Sequence, residues 1–107
     1  MKRVLVVDDS KTVLKQIEIE FTMCKDIELI MVETYKDAMK KIREHQGDFN
    51  VALLDLNLPD APNGEVVSLA NAHNIPSVIL TGSLSVDTKA NIQKKRYISL
   101  CIKKFSK

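Results

Sequence analysis

Short apolar runs at residues 3–7, 27–32, 49–54, 75–80 and 97–102 are separated by segments whose apolar residues recur at helical spacing. Neighbouring strands that run parallel need a crossover of a dozen or more residues, usually a helix. Strand and helix alternating five times therefore predict a parallel sheet covered on both faces, with right-handed crossovers. The first helix should start at Lys11, behind the cap residue Ser10, and bury Val13, Leu14, Ile17 and Phe21 over about three to four turns. Ala38, Met39 and Ile42 mark a second helix over residues 36–45, which Gly47 and Asp48 end. Val66, Val67, Leu69 and Ala70 mark a third over residues 65–73. A fourth, over residues 86–96, has only Val86, Ala90 and Ile92 as anchors and should be the most weakly held. Pro76 can stand only near the start of its strand. A helix should also cover the fifth strand, yet the sequence stops at Lys107, so that last helix is expected to be absent or truncated, or replaced by a partner.

Such a chain, residues 1–107, is expected to be one domain, with no repeats or linkers. Sixteen basic and fourteen acidic residues leave +2, which gives no charge argument for nucleic acid. The basic stretch Lys94, Lys95 and Arg96, with Lys103, Lys104 and Lys107, reads as a solvated face and tail. Cys24 and Cys101 lack metal-ligand spacing and sit among apolar residues, so both are expected to be buried reduced thiols. With no signal peptide and no run approaching the ~20 apolar residues of a membrane span, a cytoplasmic location without membrane contact is expected.

What stands at the strand ends matters more. The apolar run Val51, Ala52, Leu53, Leu54 passes straight into Asp55, and Pro59 stops its continuation. The first strand ends in Asp8 and Asp9, the fourth in Thr81, and the fifth in Lys103. A parallel sheet brings all carboxyl ends to one edge, where open α/β sheets bind ligands. Three carboxylates crowded there repel one another unless a cation is present. Mg²⁺, with Mn²⁺ as an acceptable substitute, suits a shallow, partly hydrated oxygen site. Lys103 and Thr81 would add an ammonium and a hydroxyl, which together with a metal are what a transferring phosphoryl group needs around its oxygens. Asp55, ending the central run, is the best-placed nucleophile, and an aspartyl phosphate is the predicted product.

Val6 to Ser10, Leu53 to Pro59, Leu80-Thr81-Gly82 and Ile102-Lys103, in this order over nearly the whole chain, resemble the receiver domain of two-component response regulators, of the chemotaxis-regulator type. The resemblance implies a flavodoxin-like (βα)5 fold with a five-stranded parallel sheet in the order 2-1-3-4-5. It implies that Asp55 is the phosphoacceptor, that Asp9 binds the metal directly, and that Asp8 reaches it through water. Asn57 would complete the metal shell with its main-chain carbonyl, Thr81 would supply the switch hydroxyl, and Lys103 would pair with the phosphoryl group. Implied partners are a sensor histidine kinase or histidine phosphotransfer protein, a C-terminal output domain, and a second copy through the face around the fourth helix and fifth strand. Direct contact with nucleic acid and turnover of an external substrate are not implied. Three positions depart from the pattern: Lys104 stands where a proline usually follows the lysine, Leu100 takes the switch-aromatic position, and the loop from Pro59 to Gly64 is one residue longer. The longer loop is similar to receivers attached to cyclic-di-GMP signalling outputs.

Each polar residue also has a plainer reading. Asp8 and Asp9 could cap the first helix, Thr81 could be a turn residue, and Lys103 alone says nothing. Their joint occurrence at strand ends favours the receiver. His45 and His73 fall at helix ends and read as surface residues, Tyr35 and Tyr97 as packing or exposed rings. The runner-up is a receiver-like docking or dimerisation module that is not phosphorylated. A phosphatase using an aspartyl nucleophile would want an acid two residues after Asp55, where Asn57 stands, and a dinucleotide site would want a Gly-rich loop after a strand.

Overall fold

Val4, Leu5, Val6 and Val7 are all apolar because both faces of their strand are covered. β1 (Lys2–Val7) lies inside a parallel sheet between β2 (Ile27–Val32) and β3 (Val51–Leu54), and β4 (Ser77–Ile79) extends the sheet beyond β3. The strand order is β2-β1-β3-β4. Side chains alternate across the sheet. Leu5, Val7, Ala52 and Leu54 face one core with Ala38 and Ile42 of α2 (Tyr35–Glu44) and Val66 and Ala70 of α3 (Glu65–Ala72). Val4, Val6, Val51 and Leu53 face the other with Val13, Ile17 and Phe21 of α1 (Lys11–Phe21). Over these elements the arrangement is that of the flavodoxin-like receiver fold, in a computed structural model that describes residues 2–22 and 24–80. The expected fourth helix and fifth strand, and with them Thr81, Leu100, Cys101, Lys103 and Lys104, lie outside the described residues.

The register fixes where the strands stop. Val32, Val7, Leu54 and Ile79 are paired across the sheet as one row. One row further, the ladder continues as single bonds: the N–H of Asp8 donates to the carbonyl of Val32 (3.1 Å), that of Asp55 to Val7 (2.9 Å), and that of Leu80 to Leu54 (2.7 Å).

The helices begin at side-chain caps where the sequence supplies them. Ser10 accepts from the N–H of Val13 at 3.3 Å, and Thr34 from that of Asp37 at 3.1 Å. Gly47, at φ +74°, closes the end of α2 by donating to the carbonyl of Ile42 at 2.8 Å.

Three expectations shift. β3 starts at Val51, two residues later than expected, because the side-chain carbonyl of Asn50 takes the N–H of Arg3 (2.8 Å) that a longer ladder would use. β4 starts at Ser77 because the N–H of Ile75 returns to Ala70 at the end of α3 (2.9 Å) and Pro76 has no N–H. Cys24 is a free thiol, but half-exposed beyond the end of α1 rather than buried.

Leu53 is fully buried on the central strand, in the core that holds α1. Leu53→Ala should lower unfolding stability by about 2–5 kcal/mol, read as a lower urea midpoint with little change in slope. A loss under about 1 kcal/mol would mean that the α1 side of the core is looser than described.

Candidate functional site

Because Val7 and Leu54 pair in register, the residues that follow them, Asp8 and Asp55, leave adjacent strands at the same level. Asp9 is next in the chain. One carboxylate oxygen from each of Asp8, Asp9 and Asp55 lies within 4.8 Å of the others. Burial is graded across the three: Asp8 is 2% exposed, Asp55 is half-buried and Asp9 is exposed.

A carboxylate as buried as Asp8 is costly unless it is hydrogen-bonded. Its Oδ1 accepts the N–H of Ser10 at 2.9 Å. Ser10 in turn caps α1, so the acid orders the entry to the helix while the serine does the capping. Asp55 is fixed in the same manner, with Oδ1 accepting the N–H of Asn57 at 3.1 Å. That bond brings Asn57 to the site. Three of the residues singled out from the sequence, Asp8, Asp9 and Asp55, converge here, and Asn57 is tied to Asp55 by that bond. Thr81 and Lys103 fall outside the described residues, although Leu80, directly before Thr81, is hydrogen-bonded to the strand that carries Asp55.

Two further acids with defined roles were not foreseen. Glu33 directly follows β2, and its charge acts on Asp9. The strand-end rule that found Asp55 finds Glu33 as well once β2 is known to lie beside β1. Asp60 could not be found that way. It lies in the loop after β3, and its Oδ1 and Oδ2 accept the N–H groups of Tyr35 (2.9 Å) and Lys36 (3.0 Å) at the start of α2. These two bonds hold its carboxylate below the ordinary range. Gly64 ends the same loop at φ +76°, and a Cβ there would meet Cδ2 of Leu56 at 3.3 Å.

Asp9 runs the other way from Asp60. Asp9 is held above the ordinary carboxylate range by reduced hydration within the cluster, then by the charge of Asp55 and a hydrogen bond with it, with Glu33 adding to the effect. A hard divalent cation fits the donor set: three carboxylate oxygens, converging, with an exposed side where the ion can keep water ligands.

No protein-family model matches the chain, and a search of curated proteins also finds no match. Solved structures do match. A two-component system response regulator/GGDEF domain protein is 32% identical at a TM-score of 0.65, over 89% of this chain and 38% of that one. A signal receiver domain from Vibrio parahaemolyticus is 28% identical at a TM-score of 0.61, over 87% and 72%. The Mn²⁺-bound form of response regulator Rcp1 is 25% identical at a TM-score of 0.71, over 98% and 94%. The resemblance read from the motifs is thereby shown at the level of structure: the neighbours of this chain are response-regulator receiver domains, some of them joined to a GGDEF domain. This chain spans 38% of the first of these proteins.

An acid whose folded pKa is raised binds more protons in the native than in the unfolded state. Its contribution to stability is therefore lost as pH rises from the ordinary aspartate range through the raised value. In cation-free buffer, Asp9→Asn should accordingly gain stability relative to the unsubstituted protein as pH rises above about 4. Adding Mg²⁺ or Mn²⁺ at neutral pH should reverse the order, since at about 100 times Kd a bound ion stabilises by about 2.7 kcal/mol. Thermal unfolding of both proteins with and without each ion reads this out. A melting temperature of the unsubstituted protein that neither ion moves would remove the cation site.

Proposed function

We propose that this chain is a phosphoacceptor receiver domain, taking a phosphoryl group from a phosphohistidine onto Asp55 and passing the change to an output. The observation that carries the reading is the convergence of Asp8, Asp9 and Asp55 at the carboxyl edge of the sheet. A structural neighbour is known in a Mn²⁺-bound form, which supports a divalent ion as the occupant of the acidic cluster here, with Mg²⁺ or Mn²⁺ as the candidates.

In this reading Asp8, Asp9 and Asp55 hold the ion, with the carbonyl of Asn57 as a further ligand. When bound, it supplies positive charge for the phosphoryl oxygens. A carboxylate oxygen of Asp55 attacks phosphorus, a P–O bond forms as the P–N bond to the donor imidazole breaks, and the leaving imidazole nitrogen takes up a proton. The N–H of Asn57 keeps one Asp55 oxygen engaged, so the other is the better placed for attack. Lys103 and Thr81 would then read the new group, biasing a pre-existing equilibrium around the fourth helix and fifth strand.

A sensor kinase or histidine phosphotransfer protein is the proposed donor. The proposed output is a domain of cyclic-di-GMP signalling, supported by neighbours that carry GGDEF domains and by the loop between Pro59 and Gly64. The proposed role is signalling rather than turnover of an external substrate. The proposed location is the cytoplasm; no helix among the described residues is long and apolar enough to cross a membrane.

Incubation with acetyl phosphate and Mg²⁺ should add one phosphoryl group by intact mass. The adduct should be lost on chelation of the ion and absent in Asp55→Asn. A chain that gains no mass, under conditions that label a known receiver, would instead be the unphosphorylated docking module.

A further inference from the structure

The loop between Asp55 and Gly64 is pinned at more points than its connecting role requires. Leu58 and Ala61 are both buried and bridge each other, the N–H of Ala61 donating to the carbonyl of Leu58 at 3.1 Å. Pro59 and Asp60 form the exposed tip of that turn. From the tip, both oxygens of Asp60 reach back 25 and 24 residues to the first turn of α2.

The needs of α2 do not account for this grip. Its local cap, Thr34, already satisfies Asp37, and the first helical bond, from Ala38 to the carbonyl of Thr34, is in place at 3.0 Å. The N–H groups of Tyr35 and Lys36 lie at an exposed helix start, where water is an adequate partner. α3 shows that a helix in this chain forms without any side-chain cap, since it starts at Gly64 with none. What the two bonds do is join the loop after β3 to the helix after β2. That loop leaves the site at Asp55, whose Oδ1 holds Asn57 at one end, and is gripped again at Asp60.

We infer that Asp60 is a positioning residue for the acidic site: by clamping the tip of the turn onto α2 it holds the Asp55–Asp60 segment, and with it Asn57, in the shape that receives a divalent cation. The inference rests on the cation reading of the Asp8, Asp9 and Asp55 cluster. Asp60 itself touches neither the ion nor the phosphoryl group. Its effect is preorganisation, the role that groups behind the ligands play when they fix how the ligands are presented. Without the clamp, the segment must be ordered when the ion binds, and affinity falls.

Titration of the intact chain with Mn²⁺, followed by electron paramagnetic resonance of the free ion, tests this on Asp60→Ala, Asp60→Asn and Thr34→Ala. Thr34→Ala is the control, because it removes a cap bond from the same helix without releasing the loop. Asp60→Ala should weaken Mn²⁺ binding on the order of ten-fold. Asp60→Asn, which keeps one acceptor oxygen, should fall between it and the unsubstituted chain, and Thr34→Ala should stay within about two-fold of the latter although its helix is destabilised. Equal Mn²⁺ affinity in Asp60→Ala and the unsubstituted chain overturns the inference while leaving the cation site standing, as does an equal loss in Thr34→Ala. Absence of Mn²⁺ binding in the unsubstituted chain overturns both.

Discussion

The structure depends on the parallel ladder between β1 and β3. Four residue pairs, from Val4 with Val51 to Val7 with Leu54, set the two central strands in a register that ends both at the same level. Shifting one strand by a single residue would turn its apolar side chains to the opposite faces and separate Asp8 from Asp55 along the sheet. The same pairing therefore builds both cores and the acidic site. The bond from the N–H of Asp55 to the carbonyl of Val7 extends it into the site itself.

A site built this way sets charge against stability. The ladder gives apolar side chains burial on both faces, worth about 1.5–3 kcal/mol each when complete. At its end it takes Asp9 partly out of water and sets it beside Asp55, which together raise the pKa of Asp9 and oppose folding at neutral pH. The grading of exposure is compatible with divalent-ion binding: Asp8 is buried and accepts the N–H of Ser10, whereas Asp9 is exposed.

The two edges of the sheet are tied differently. At the amino edge, the guanidinium of Arg3 bonds Glu28 on β2 (2.7 Å) and the carbonyl of Asp48 (2.9 Å), and lies 5.9 Å from the centre of the Phe49 ring. These contacts join β1, β2 and the turn before β3, each a modest contribution because the groups are partly solvated. At the carboxyl edge the connections run between loops instead. Glu33 and Asp60 come from the loops after β2 and β3: the charge of Glu33 acts on Asp9, and Asp60 ties its loop to the start of α2. Loops are where a rigid scaffold places function.

Local sequence pattern was enough for the alternation of strands and helices as far as β4, the two-sided burial of Val4 to Val7 and Val51 to Leu54, the capping residue Ser10, and the acids after β1 and β3. These follow from local rules, because side-chain period, cap chemistry and turn residues act within a few positions of one another. The motif order even carried the likeness to receiver domains that the solved structures display. Other facts were decided only by the tertiary structure. Asn50 cuts β3 short because its side chain meets Arg3, 47 residues away. Glu33 joins the acids because β2 happens to flank β1, and Asp60 grips α2 across 25 residues. Such contacts between distant residues leave no periodicity in the chain, since their partners become neighbours only when the sheet brings them to the same edge.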